Sequence, residues 1–344
     1  MSTMNAPPQF PSIAPVPKGV HRPRWSVMIP TYNCAEYLKQ TLESVLSQAP
    51  DPDVMQIEVV DDCSTQDDPE AVVQTVGQGR VSFYRQPQNG GAIHNFNTCI
   101  QRSTGHLLHI LHGDDKVLPG FYSAMEQAFQ TAPDIGAAFC RPIYIDEVDR
   151  QRFIYTLEQP EAGIMPHLLQ RLGVVCMIQT PSIAVRRSVY EAIGGFHPDL
   201  FHAGDWEMWK RVASYYPVWY EPQPLACYRT HSSSHTSSLV RTAANIANTR
   251  RAIKISEAYL PASIRADLTH QANEFYAMYA FETACWQLIR RNPTAAIAQF
   301  REALKCSHSP KTLTKMVHFA TRASFQRGSK LLSTWFKPST ALQP

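Results

Sequence analysis

From Trp25 to about Tyr144, short apolar runs alternate with stretches of helical period. WSVMIP, QIEVVDD, RVSFYR, HLLHIL and IGAAFCRPIYI have the length and apolar character of buried strands. Between them, EYLKQTLESVL places Leu38, Leu42, Val45 and Leu46 on one helical face, and AIHNFNTCIQRS and FYSAMEQAF read as helices. Strands that alternate with helices predict an α/β fold with a largely parallel sheet and crossover helices. In such sheets ligands bind beyond the carboxyl ends of the strands. Three polar clusters fall at those ends: Pro30 to Asn33 after the first strand, Asp61 to Ser64 after the second, and His112 to Asp115 after the fourth.

Farther along, TPSIAVRRSVYEAIGGF predicts a strand, a short helix and a turn at Gly194-Gly195. AGDWEMWKRVASYY predicts a helix from near Asp205, with Trp209, Val212, Ala213 and Tyr216 on one face and Lys210 and Arg211 on a solvated face. After about residue 239 the pattern is mostly helical. Residues 281–307 resemble one tetratricopeptide-type hairpin, with Ala296, Phe300 and Ala303 spaced as in that repeat's second helix; a plain helical pair fits equally.

Composition narrows the classes. The 344 residues are 44% hydrophobic and 18% charged, with a net charge of +3, too mild to indicate a nucleic-acid binder. Eight scattered cysteines without a C-x-x-C pair argue against a zinc knuckle or a disulfide scaffold and suit a reducing cytoplasm. Residues 1–24 are proline-rich, lack the apolar core of a signal peptide and read as a flexible tail. No run reaches the length of a membrane span.

The pieces IPTYN (29–33), VVDDCST (59–65), NGG (89–91) with Asn97, HGDD (112–115) with Pro119, GGF (194–196) and GDWEMWKR (204–211) occur in the order and spacing of the family 2 glycosyltransferases, which the chain resembles over about residues 25–235. The resemblance implies a GT-A fold, a mixed nucleotide-diphospho-sugar transferase sheet, at 25–238, with residues 239–344 as a helical C-terminal region. It also implies transfer of a sugar from a UDP- or dTDP-sugar to a hydroxyl acceptor, in cell-surface polysaccharide or glycoconjugate synthesis.

Carried onto single positions, the resemblance makes Asp114 the ligand of Mn²⁺ or Mg²⁺, with Asp115 in support and His231 as a late metal or phosphate contact. Hard cations take carboxylate oxygen, and a metal neutralises the departing diphosphate. Asp61 and Asp62 stand where the family recognises the nucleobase, and Pro30, Thr31, Tyr32 and Asn33 where it wraps base and ribose. Asn89 and Gly91 suit a turn that approaches a phosphate. Asp205 is the expected base, with a helix N-cap as its alternative role.

The chain departs from the family pattern at three positions. His112 replaces a common aspartate beside Gly113, and can meet the ribose, coordinate metal or line the pocket. Phe96 stands where many relatives carry arginine, and Gly204 where they carry glutamate. These departures leave open a catalytically silent sugar-nucleotide binder or scaffold. A nucleotidyltransferase would need a glycine- and lysine-rich phosphate loop after the first strand, which PTYNCAEYL lacks. After Glu302 there are seven Lys or Arg residues and no acid, interleaved with aromatic and aliphatic residues up to 337. Such a tail, 308–337, either docks on an anionic membrane surface, where a lipid-linked acceptor would lie, or packs as a helix with a solvated basic face.

Overall fold

A computed structural model of the chain describes residues 10–231 and 235–325. It contains two compact units: residues 10–169 with 176–229, and residues 170–175 with 230 onward.

The first unit runs β1 (Trp25–Thr31), α1 (Ala35–Leu46), β2 (Met55–Asp61), α2 (Pro69–Gly77), β3 (Ser82–Arg85), α3 (Ala92–Arg102), β4 (Leu107–Ile110), β5 (Lys116–Val117) and α4 (Phe121–Thr131). It continues through β6 (Ala137–Ile145), β7 (Gln151–Ile154), β8 (Gly163–Ile164), α5 (Leu168–Val174, which passes into the second unit), β9 (Ile183–Arg186), α6 (Arg187–Ile193), α7 (Gly204–Tyr215) and β10 (Val218–Arg229). The strands form one mixed sheet in the order β3-β2-β1-β4-β9-β6-β10-β5. The stretch β3-β2-β1-β4 is parallel, and antiparallel β9 joins it to the parallel pair β6-β10. All seven residues of β1 are buried, as expected of a central strand covered on both faces. Leu38, Leu42 and Val45 of α1 pack into the same core as Val27 and Ile29, each contributing about 1.5–3 kcal/mol by burial. Because β1 lies between β2 and β4, the loops that leave their carboxyl ends are neighbours.

Two expectations need correction. Residues 10–24 are not a flexible tail: Ile13 is buried, the Pro11 carbonyl accepts the Gly195 N–H at 2.8 Å, and Arg187 donates to the Ala14 carbonyl at 3.1 Å. Nor do Lys210 and Arg211 solvate a helix face, because both are fully buried. Arg211 forms a two-point pair with Glu207 at 2.9 and 3.0 Å, donates to the Gly195 carbonyl at 2.8 Å, and lies over the Phe10 ring. The Lys210 ammonium sits 3.7 Å from the Trp206 ring centroid. A charge can enter the core when partners of this kind replace water.

The second unit contains α8 (His235–Thr242), α9 (Ala244–Ser256), α10 (Ala262–Ile289), α11 (Pro293–Cys306) and α12 (Pro310–Phe325). Asn292 stops the α10 hairpin and caps α11 by accepting the Ala295 N–H, with Pro293 in the first turn. Buried alanines on both helices, Ala277, Ala280 and Ala284 against Ala295, Ala296 and Ala303, allow close approach. On α12, Thr312 and Met316 are buried while Leu313, Lys315 and Val317 are exposed; the expected tail beyond 325 lies outside the described residues. No helix among the described residues is long and apolar enough to cross a membrane.

Candidate active site

The loop after β1 is fixed by its neighbours. Asp62 N–H donates to the Thr31 carbonyl at 2.9 Å, and Gly113 N–H to the Pro30 carbonyl at 3.0 Å, so the three polar clusters are tied to one another by backbone. Asn33 has a left-handed backbone, φ 49°, and its side-chain oxygen accepts the N–H groups of Thr65 and Gln66. The buried Thr31 hydroxyl lies 2.9 Å from Cys34 Sγ. A Cβ at Gly113 would come within 2.9 Å of that hydroxyl, which explains the glycine. Tyr32 is 47% exposed, leaving its ring open to a ligand.

Asp61 and Asp62 point to different partners. Asp61 accepts from Arg85 Nε at 2.8 Å and from the Ser64 N–H and hydroxyl, so it holds the loop after β2. Asp62 accepts the N–H groups of Gly90 and Gly91, both at 2.8 Å, while Asn89 donates to its carbonyl at 3.1 Å. Gly91 adopts φ 83°, a backbone that favours glycine. The NGG turn is thus fastened to Asp62. Each Asp62 oxygen retains a lone pair for a ligand.

At the end of β4 the ligand set is compact. One donor atom each from His112, Asp114 and Asp115 lie within 4.8 Å of one another. His112 Nδ1 faces Asp115 Oδ2 at 3.3 Å, and the His112 ring stacks on Phe96 with centroids 5.0 Å apart and planes at 15°. Phe96, where an arginine was expected, therefore serves as the wall that fixes His112. Burial lowers the His112 pKa, but the hydrogen bond to Asp115 and the charges of Asp115, Asp114 and Asp205 outweigh it and leave it raised. Burial and the Asp114 charge push Asp115 up to about 6. His112 Nε2 is buried without a hydrogen-bond partner. Two crowded carboxylates beside an imidazole nitrogen in this state fit a divalent cation, which would relieve both the repulsion and the unmet nitrogen.

Asp205 enters from α7. Ala203, not Asp205, is the N-cap; Asp205 is the second helical residue and accepts the Trp206 N–H at 2.7 Å. Burial raises its pKa to about 6, and it exchanges electrostatic influence with His112. At the neighbouring Gly204 a Cβ would come within 2.5 Å of Ile93 Cδ1, so a larger residue there would require the Ile93 side chain to move.

The matched fragments and the fold identify the lineage. The family described as glycosyl transferase family 2 matches residues 26–194. The chain belongs to the family 2 glycosyltransferases. A glycosyltransferase of Nostoc sp., itself uncharacterized, is 26% identical over 248 residues, 68% of this chain and 74% of its own. Among solved structures, Staphylococcus aureus TarS 1–349 in complex with UDP-GlcNAc superposes with a TM-score of 0.61 at 17% identity, covering 82% of this chain and 79% of that one. A mannosyltransferase of Pyrobaculum calidifontis in complex with GDP-Man and Mn²⁺ gives 0.57 at 20% identity, covering 91% and 84%. These likenesses show the GT-A fold.

Within this glycosyltransferase, the structure joins Pro30, Thr31, Asn33, Asp61, Asp62, Asn89, Gly91, His112, Gly113, Asp114 and Asp115 at one sheet edge, with Asp205 in electrostatic reach. His231 belongs to the second unit, whereas His112, Asp114 and Asp115 all belong to the first. Sequence reasoning missed Phe96 as a support for His112, and it missed the roles of Glu207 and Arg211. The signal for the latter was present: Glu and Arg at i, i+4 inside a run with Trp206 and Trp209.

Proposed function

We propose that the enzyme is a metal-dependent, inverting glycosyltransferase that moves a sugar from a uracil or thymine nucleotide-diphosphate sugar to a saccharide hydroxyl. The observation that carries this reading is the His112–Asp114–Asp115 ligand set with Asp205 within electrostatic reach of it. Asp114, with Asp115 and His112, would hold Mn²⁺ or Mg²⁺, which when bound neutralises the charge of the departing diphosphate. Asp205 takes the proton from the acceptor hydroxyl as its oxygen attacks the anomeric carbon in line and the nucleoside diphosphate leaves from the opposite face. The hydrophobic environment that raises its pKa also makes it a stronger base than a solvated carboxylate. Tyr32 offers its exposed ring to the base, Asp62 accepts from the base N–H while holding the NGG turn, and Thr31, Asn33 and Asp61 keep the pocket wall in place. Gly90 and Gly91 bring backbone close to the diphosphate.

The acceptor is a sugar or a lipid-linked sugar at the cytoplasmic face of a membrane, in the assembly of a surface polysaccharide or glycoconjugate. The basic and exposed apolar positions of α12, Lys311, Lys315, Leu313 and Val317, support a surface contact. Donor turnover with Mn²⁺, followed by nucleoside diphosphate release over a panel of nucleotide sugars, tests the reading. Turnover by the wild type that is lost in Asp114→Ala is expected. Binding without turnover would instead identify a silent sugar-nucleotide binder.

A further inference from the structure

We propose that Arg229, the last residue of β10, is the positioning residue of the metal-binding loop; the inference rests on the metal reading given above. Its side chain is almost fully buried, and each of its side-chain nitrogens has a partner, in residues 114, 146, 149 and 40. Nε donates to the Asp114 carbonyl at 2.7 Å, and Nη1 donates to the Asp146 carbonyl at 3.0 Å. Nη2 donates to Gln40 Oε1 at 2.7 Å and pairs with Asp149 at 2.8 Å. The guanidinium lies 4.7 Å from the Tyr37 ring centroid. The backbone N–H of the same residue donates to Asp115 Oδ1 at 2.8 Å.

These contacts divide the work. One carboxylate oxygen of Asp115 is held by the Arg229 N–H, which directs the other toward His112 Nδ1. The Asp114 carbonyl is pinned by the guanidinium, which leaves the Asp114 side chain with its direction set by a fixed peptide plane. From the other side, the single Thr41 O–H is shared between the carbonyls of Asp115 and Gly113, whose oxygens lie 2.7 and 3.0 Å from its oxygen. The carbonyls of residues 113–115 are therefore all tethered away from the ligand set, and the side chains face it. No lysine can reproduce this: a point charge lacks the planar fork that reaches four partners at once. Asp149, in the turn after β6, has a left-handed φ of 64° and also accepts from Lys116 at 3.0 Å, so it couples that turn to the same arginine. A site whose ligands are oriented this way loses metal affinity when the orienting residue changes, even though every ligand remains.

The test is Mn²⁺ binding to the full chain, read from the paramagnetic resonance of free Mn²⁺, in wild type, Asp114→Ala, Arg229→Lys, Thr41→Val and Asp149→Asn. Arg229→Lys is expected to weaken Mn²⁺ binding by about 10–100-fold, and Thr41→Val and Asp149→Asn to weaken it less. Turnover at saturating Mn²⁺ falls by a smaller factor than the affinity does, a split that simple loss of stability would not produce. Asp149 is partly exposed, so Asp149→Asn carries the test if Arg229→Lys does not fold. Wild-type Mn²⁺ affinity in the folded variants, alongside loss of binding in Asp114→Ala, overturns the role of Arg229 and leaves the metal site standing. Absence of Mn²⁺ binding by the wild type overturns both.

Discussion

The side-chain amide of Asn97 grips the backbone of Phe196 at two points: Oδ1 accepts its N–H at 2.8 Å, and Nδ2 donates to its carbonyl at 2.9 Å. Both residues are buried, and Phe196 packs edge-on against Phe96, the ring on which His112 stacks. The NFN and GGF segments, far apart in the chain, are thus one structural joint behind the ligand set. Asn97→Ala removes both bonds and leaves buried backbone groups unmet, so it should lower the unfolding free energy by about 2–4 kcal/mol. Urea denaturation followed by tryptophan fluorescence measures it; a loss below about 1 kcal/mol, the net worth of a single hydrogen bond, would contradict the joint.

Asp205→Asn keeps the shape and the acceptor oxygen for the Trp206 N–H but cannot take a proton. Turnover should fall by about 10²–10⁴-fold. Calorimetric titration of the nucleotide sugar should give nearly unchanged affinity. Wild-type turnover would remove Asp205 from the role of base.

The same residue sets a pH dependence. Its pKa is pushed up to about 6, so the base is protonated below that pH and ionised above it. The turnover rate should rise through pH 6 and level off toward pH 7.5. Stability has the opposite sign. The folded state holds the proton more tightly than the unfolded state, so wild type loses stability as pH rises from about 4 through 6. Asp205→Asn should escape that loss, and its advantage in Tm over wild type should grow across the same window. A constant difference would mean that Asp205 is not desolvated.

Glu207 and Arg211 form a buried pair on α7. Removing one partner strands the other charge, so Glu207→Ala should cost about 3–5 kcal/mol. The double variant Glu207→Leu, Arg211→Met should recover much of that cost. Thermal unfolding of wild type, Glu207→Ala, Glu207→Leu, Arg211→Met and the double variant decides it, and losses that simply add would refute the coupling.

Lys311→Gln with Lys315→Gln removes charge from exposed positions of α12 and leaves the buried Thr312 and Met316 unchanged, without placing a like charge beside Glu274, the partner of Lys311. Co-sedimentation with anionic vesicles should weaken, by about 1 kcal/mol for each lysine removed, and weaken further with salt. Equal binding by wild type and variant would dispose of surface docking by this helix.

The strands and helices of the first half were legible because β1, β2 and α1 carry strong signals: short runs dominated by apolar residues and ending in polar ones, and a single apolar face at helical spacing. The cluster of His112, Asp114 and Asp115 was legible as a candidate metal site because adjacent acids after a buried strand have little structural reason to be there. Other residues were read wrongly because their partners are remote. Arg211 looked solvated, since nothing local reveals that the carbonyls of Ile193 and Gly195 and the ring of Phe10 await it. The proline-rich start looked loose because its composition disfavours helix and strand, yet Phe10 and Ile13 dock as single apolar anchors.

The docking of Phe10 on Arg211 bears on how small the enzyme can be made. Residues 26–194 hold the metal loop and the nucleotide loops, but α7, β10 and the segment around Phe10 fall outside that span. A fragment cut to those limits would lack Asp205, the proposed base, with its helix, and Arg229, the proposed support of the 112–115 loop. Trimming only the first two dozen residues would uncover the guanidinium of Arg211, about a turn and a half along α7 from Asp205. Removing Phe10 therefore acts on α7, the helix that carries Asp205, the proposed proton acceptor.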